Sequence, residues 1–445
     1  MLKFASLALL ALTMGASVAR GEHPPSLTTL YTFQGPPDGA NPGPAVIGQG
    51  GEVFGVTLQG GIVQGSEECA GGCGTVFELA PPTTTGGAWT ETVLYRFTGT
   101  NGDGAQPNGV ALASDGSLYG TTAYGGLANC GLGCGTVFRL VPPAEGEGPW
   151  SETMIHSFTG QQGDGLEPFA PPVIGADGAL WGTTYGGGSA SGPDCAGGCG
   201  AVFELVPLAN GAWQERILYS FTGSNGDGAY PYAGVTIGPG GVLYGTTAYG
   251  GTDDLCGGCG SGTVFELKPP SAPGGSWTEE VLYSFKGNMT GAYDGSFPKA
   301  SPVVAPNWVL YGTTETGGDS LTGGVFGSGT VYELIPPAAE GGTWSEKVIH
   351  SFGGTGDGLL PTAPPTLGPS GVLYGATSAG ENEFGGFFGP VVYELAPPSR
   401  AGQDWRYGPL IENLGSGAAI LIGSDGLLYG TGRGFGFGSV FRITP

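Results

Sequence analysis

Positive charge and histidine are the scarcest chemistry in this 445-residue chain: 13 lysines and arginines and 3 histidines stand against 37 aspartates and glutamates. The formal net charge of −24 repels nucleic-acid phosphates and anionic membranes, so neither is an expected partner. It favours cations or basic partners, and in its plainest role it keeps the chain soluble. Long apolar runs are missing too. After the first residues no stretch approaches the ~20 apolar residues that a span needs, so no transmembrane segment is expected in the mature chain. No Gly-x-Ser-x-Gly elbow, His-Glu-x-x-His helix or phosphate-binding loop occurs, which removes common signatures of hydrolases, metallopeptidases and nucleotide-binding proteins. His23 lies in the N-terminal segment, and His156 and His350 replace tyrosine in a repeated strand. They read as packing substitutions, and no metal site is expected.

Glycine and proline are what the chain has in excess, with 94 and 36 copies. At that density helices are interrupted, whereas many short strands joined by tight turns are favoured. Recurrent Val, Leu, Phe, Tyr and Trp exclude a disordered chain. The N-terminus begins Met1-Leu2-Lys3, runs apolar from Phe4 and reaches Ser17-Val18-Ala19. A basic start, a short apolar stretch and small residues at the −3 and −1 positions predict a secretory signal peptide over 1–19. Residues 20–26 are expected to be a flexible start, and 27–445 one domain, in the periplasm or the medium.

Self-similarity organises that domain. Leu-Tyr-Gly-Thr-Thr stands at 118–122, 243–247 and 310–314, with variants at 180–184, 373–377 and 428–432 and a degenerate copy at 53–57. Its aromatic positions, Phe54, Tyr119, Trp181, Tyr244, Tyr311, Tyr374 and Tyr429, are spaced by 65, 62, 63, 67, 63 and 55 residues. The second unit predicts four strands: Gly109–Ala113, then Leu118–Ala123 after an Asp115-Gly116 hairpin turn, then 135–140, then 150–158. Four antiparallel strands repeated radially make a propeller blade, so the expected fold is an all-β, seven-bladed β-propeller. The last repeat holds only three strands, near 417–423, 426–432 and 439–445. The orphan segment 27–33 at the N-terminus matches the missing fourth and would close the ring, leaving no open sheet edge at the seam.

The Leu-Tyr-Gly-Thr-Thr copies, the Gly-Thr-Val-Phe-Glu-Leu copies at 74–79 and 262–267, and Leu-Tyr-Ser-Phe at 218–221 and 282–285 are similar to the repeat of bacterial choice-of-anchor tandem-repeat GloVer proteins. The resemblance covers nearly all of the mature chain. It implies an exported repeat protein and brings no activity or catalytic residues. Members often carry a C-terminal anchor; this chain ends at 441–445 without one, so anchoring is not expected. The strand order also resembles a kelch-type blade.

The eight cysteines form four local pairs, Cys69/Cys73, Cys130/Cys134, Cys195/Cys199 and Cys256/Cys259, each between the second and third strands of repeats one to four. In an exported chain they read as disulfides. Each closes a small loop, with a chain-entropy gain of about 2 kcal/mol, and would hold a glycine-rich loop in shape. Metal binding or redox exchange is the rival reading, but four separate blades do not pool their thiolates into one zinc site.

Two surfaces are candidates for binding. Loops leading into each new repeat carry Asp-Gly at Asp38, Asp103, Asp164, Asp227, Asp294 and Asp357, while the seventh copy, at 413–415, lacks it. Asp caps such turns and Gly supplies positive φ. A ring of carboxylates attracting Ca²⁺ or a cationic ligand is the sharper alternative. On the same face the cysteine-free loops of repeats five to seven hold Phe326, Phe384, Phe387, Phe388, Phe435 and Phe437 among glycines. Such rings stack on sugars or anchor protein partners, or fold back to fill gaps. Trp89, Trp150, Trp213, Trp277, Trp344 and Trp405 start the fourth strands and read as packing residues. Glu78, Glu204, Glu266, Glu333 and Glu394 on third strands read as structural.

These features point to an exported, monomeric, non-enzymatic binding propeller without a cofactor, whose ligand is a glycan or a protein. A secreted polysaccharide hydrolase or lyase working through loop carboxylates, and a structural envelope protein with no discrete ligand, are the alternatives.

Overall fold

Alternating apolar residues and glycine-rich turns make each repeat four antiparallel strands, and the computed structural model arranges the seven repeats as the blades of a β-propeller. The structure describes residues 24–445 except 64–68, 85, 129, 145–147, 162, 190–194, 196, 253–258, 273, 289–290, 320–326, 340, 355, 382–386, 389, 401, 415, 418 and 434–435. The predicted signal peptide, most of the expected flexible start, His23 and the 415 end of the seventh turn lie outside the described residues. No helix among the described residues is long and apolar enough to cross a membrane.

Blade 2 shows the plan: Gly104–Leu112, Leu118–Gly125, Thr136–Val141 and Ser151–Ser157 pair in chain order from the innermost strand outward. Its first strand begins five residues before the predicted Gly109, because Ala105 and Pro107 already face Tyr124 and Thr122. In blades 3 to 6 this innermost strand is interrupted. Pairs such as Val173–Ile174 and Thr236–Ile237 are separated from a second short pairing, Gly165–Leu166 with Gly186–Gly187 in blade 3 and Gly228–Ala229 with Tyr249–Gly250 in blade 4. A left-handed residue followed by proline, which has no N–H to give the ladder, stands at each interruption; in blades 1 and 2 the same pair falls at a bulge inside a continuous strand.

Closure follows the expectation. Ser26–Thr32 pairs antiparallel with Ser439–Thr444, and Leu27 faces Ile443. The N-terminal strand is thus the outermost strand of blade 7.

The repeated motif is a device for joining blades. Its glycine admits a ring: a Cβ on Gly120 would meet Phe138 Cζ at 2.3 Å, and one on Gly245 would meet Phe265 Cζ at 2.4 Å. The first threonine reaches the next blade. Thr121, Thr183, Thr246 and Thr313 donate to the carbonyls of Ala170, Ala233, Ala300 and Ala363 at 2.9, 2.7, 3.1 and 3.1 Å. Thr431 closes the ring by donating to Gly43 O at 2.8 Å. The degenerate copies place Val56 and Ala376 there and forgo the bond. The second threonine bonds its own third strand, as in Thr122–Thr136 and Thr247–Thr263, both 2.8 Å.

Aromatic pairs fill the seams. The buried phenylalanine ending each fourth strand sits edge-on to a third-strand ring of the following blade: Phe33–Phe77, Phe97–Phe138, Phe158–Phe203, Phe221–Phe265, Phe285–Tyr332 and Phe352–Tyr393, with centroids 5.0–5.2 Å apart. Such geometry adds about 0.5–1.5 kcal/mol per pair beyond burial. Leu414 takes the phenylalanine's place between blades 6 and 7, packed with Phe441. The repeated tryptophans pack across seams as well, Trp213 on Tyr119 at 6.0 Å and Trp405 on Tyr311 at 5.6 Å.

Candidate functional site

The six Asp-Gly aspartates are engaged by their own turns. Asp103 accepts from Thr98 N and Oγ1 at 2.7 Å each, Asp227 from the same two atoms of Thr222 at 2.7 Å each, and Asp164 from Thr159 N and Oγ1 at 2.7 and 2.6 Å. Asp38 accepts from Gln34 N, Asp294 from Gly287 N, and Asp357 from Gly354 N. The Asp294 and Asp357 side chains are buried rather than presented to solvent.

Each aspartate also meets the fourth strand before it and the fourth strand after it. Tyr31, Tyr219 and Tyr283 donate their hydroxyls to Asp38, Asp227 and Asp294 at 3.0, 3.1 and 2.6 Å. From the following blade comes the glutamate two residues after the tryptophan: Glu91, Glu152, Glu215, Glu279 or Glu346. Burial, reinforced by the aspartate's charge, pushes Glu91, Glu152 and Glu279 up to about 7 and Glu346 up to about 8. These glutamates escape notice in the sequence, where they look like ordinary outward strand positions. Three of the third-strand glutamates, largely buried, are ion-pair members: Glu204 meets Arg216 at 3.4 Å, Glu333 meets Lys347 at 3.2 Å, and Glu266 meets Lys268.

Cys69–Cys73, Cys130–Cys134 and Cys195–Cys199 are disulfides, and Cys259 is also bonded, while Cys256 lies outside the described residues. The carbonyl of the second cysteine has a specific task. Cys73, Cys134 and Cys199 O accept from the N–H of Gln106, Glu167 and Tyr230 in the next blade, at 2.9, 2.9 and 2.7 Å. Ser261 and Ser328 O do the same for Phe297 and Leu360, and Phe437 O for Asn41.

Those six acceptors hold six unusual residues. Asn41, Gln106, Glu167, Tyr230, Phe297 and Leu360 all have φ between 55° and 57°, a left-handed conformation that costs a side-chain-bearing residue about 1–2 kcal/mol. Each fills position X of Asp-Gly-x-X-Pro in the innermost strand. Tyr230, Phe297 and Glu167 also have their carbonyls bonded, by Ala248, Glu315 and Tyr185 N. The frame is constant and the side chain changes in every blade. Strain of this kind concentrates where a structure does chemistry or binds.

The residue after the proline, Phe169, Tyr232 or Lys299 in blades 3 to 5, builds the wall beside this ring. Phe169 stacks on Tyr232 at 5.0 Å, Lys299 Nζ lies 5.5 Å from the Tyr232 ring centre, and Lys299 pairs with Glu315 at 2.6 Å. Tyr185 packs against Phe169 and Tyr230, and Tyr249 against Tyr230 and Phe297, with centroids 4.9–5.8 Å apart. A cavity of about 250 Å³ opens among Tyr185, Tyr230, Tyr249 and Cys195. Burial raises the Glu167 carboxyl and the Tyr185 phenol above their ordinary ranges. Arg433 of blade 7 instead donates its Nε–H to Pro42 O of blade 1 at 3.2 Å. The wall offers stacking faces flanked by a cation and carboxylates.

The predicted phenylalanine sector is only partly described. Phe326, Phe384 and Phe435 lie outside the described residues; Phe387–Phe388 form a short strand facing Gly380–Glu381. Phe437 is 45% exposed, and its ring covers Gly35, the position that the Cys69–Cys73 sulfurs cover as Gly99 one blade on. The sequence reading missed the aromatic arc of blades 3 to 5. The available signal was Asp-Gly-x-X-Pro, whose frame repeats while X and the residue after proline do not.

The profile of the Gloeobacter/Verrucomicrobia repeat family matches residues 19–191 and 66–326. No functionally curated protein matches the chain. Among solved structures, PorZ of Porphyromonas gingivalis, described as an essential bacterial surface component of the type-IX secretion system, is 14% identical with a TM-score of 0.53. The match covers 93% of this chain and 47% of PorZ, so the chain spans about half of PorZ's length. A Trichoderma reesei carbohydrate-active enzyme of family AA12 is 12% identical with a TM-score of 0.43, over 94% of this chain and 96% of its own. The likeness to PorZ speaks to the fold alone.

Proposed function

Since the chain belongs to the Gloeobacter/Verrucomicrobia repeat family, we propose that it is that family's propeller put to use as an exported, non-enzymatic binding module, with a saccharide docked on the axial wall of blades 3 to 5. One observation carries this reading: Phe169, Tyr232, Lys299 and Glu315 form a continuous run from stacked rings to an ion pair. Aromatic faces take the apolar face of a sugar ring, and the polar end fixes its orientation. The ring of left-handed residues keeps the wall rigid, so little ordering cost is paid on binding. The disulfides support an oxidising destination outside the cytoplasm.

Glycan-array screening of the mature protein, followed by calorimetry on the best oligosaccharide, tests the reading. Tyr232→Ala with Phe169→Ala should weaken binding by about 100-fold, the worth of two lost stacking contacts, with no cleavage products from the same glycan. Undiminished affinity in the double variant, or turnover, overturns it.

A further inference from the structure

At the seam between blades 2 and 3 the repeated tyrosine is His156, and the hydrogen bond to the turn aspartate that Tyr31, Tyr219, Tyr283 and His350 make at their seams is gone. His156 Nε2 stands 3.6 Å from Asp164 Oδ1 and 3.6 Å from Glu215 Oε1. None of these three atoms makes a hydrogen bond within the protein, and all are buried. They lie within 4.8 Å of one another.

The second histidine serves as an internal control. His350 Nε2 meets Asp357 Oδ1 at 2.9 Å, and its ring stacks on Tyr407, which replaces the seam glutamate, at 4.4 Å. Histidine in the tyrosine position therefore suffices to keep the seam bond. What differs at His156 is the second carboxylate, and with it three donor atoms face a common centre. Each is held from behind. Asp164 is fixed by Thr159 through its other oxygen, so Oδ1 points inward. The His156 ring rests edge-on against Phe158 at 4.6 Å. Glu215 is anchored on the fourth strand of blade 3, opposite Leu205.

We propose that His156, Asp164 and Glu215 form a divalent-metal site, with zinc as the preferred ion, that clamps blade 2 to blade 3. Tetrahedral bonds of about 2.0–2.2 Å, the usual zinc–nitrogen and zinc–oxygen lengths, separate neighbouring ligands by about 3.3–3.6 Å, which matches the two edges at His156. One neutral imidazole and two carboxylates balance a double positive charge. Calcium fits poorly because it takes 6–8 oxygens, and this centre has one nitrogen and two protein oxygens. The three protein atoms supply three of the four ligands zinc usually takes, and one water would complete the set. The site is independent of the saccharide wall.

Mature protein without a histidine tag, dialysed against EDTA, is titrated with zinc by calorimetry and by thermal melting. One equivalent should bind and raise the melting temperature, whereas calcium should leave it unmoved. Two variants keep the fold testable. His156→Tyr restores the residue of neighbouring seams, and Glu215→Gln keeps its shape; each should weaken zinc binding about 100-fold or more, while their melting temperatures in EDTA stay at or above that of the unsubstituted protein. Absence of saturable zinc binding, or one retained equivalent in His156→Tyr, overturns the proposal.

Discussion

The seams between the blades and the wall around the axis are cut from the same repeat, yet variation is distributed oppositely between them. At the seams, phenylalanine meets an aromatic ring at nearly the same separation six times over, and a motif glycine lets each third-strand ring lie flat. Around the axis a single strained backbone position carries Asn, Gln, Glu, Tyr, Phe and Leu in turn. Packing tolerates little change in shape, so a repeat stays uniform where blades press together. It is free to differ where the backbone alone secures the position, and there the chain has gathered aromatic and charged side chains into one arc.

The contrast is broken most forcefully at a seam glycine. Gly120→Val should cost more than about 3 kcal/mol, because its Cβ alone would lie 2.3 Å from Phe138 Cζ and 2.7 Å from Gly109 O; denaturant unfolding measures it, and a loss under about 1 kcal/mol would mean the seams are looser than they look. A smaller effect comes from pH. Glu346, pushed up to about 8 by burial and by Asp294, with Glu333 adding to the rise and Lys286 and Tyr283 opposing it, stays protonated in the folded chain after its unfolded counterpart has ionised near 4.5. Stability from this group is therefore complete below about pH 4.5 and is lost as pH rises toward 8. Glu91, Glu152 and Glu279, at about 7, act in the same sense. The melting temperature should fall between pH 5.5 and 8, and Glu346→Gln should flatten that slope; a melting temperature that climbs over this range contradicts it. The smallest effect belongs to the wall. Leu360→Gly relieves a left-handed φ of 57° while giving up a half-buried side chain, so stability should stay within about 1 kcal/mol of the original. A loss above about 2 kcal/mol would show that wall residues are packing elements like those of the seams.

Blade number, ring closure and the cysteine pairs were legible because each is local or periodic: a motif every sixty-odd residues, one orphan strand, cysteines three or four positions apart. The aromatic arc was not. Phe169, Tyr232 and Lys299 lie in three separate repeats, and nothing in a single repeat says that their side chains meet. The left-handed ring escaped for another reason. That conformation is ordinarily signalled by glycine or asparagine, and only Asn41 of the six gives the sign. The tripod at His156 was hidden by its own regularity, since the aspartate recurs at six seams and the glutamate at five, and among those five only this one has histidine in the tyrosine position.

Closure by the N-terminal strand also sets an order of events. The contact of Leu27 with Ile443 spans almost the whole chain, so its loop-closure cost falls after every other blade contact is available. The first strand of the ring in chain order is the last to find its partner. Until then the protein is an open arc with two bare sheet edges, the state in which strands pair with the wrong chain. In that interval the first six blades assemble by nearest-neighbour contacts, and the seventh waits for its first and last strands to meet.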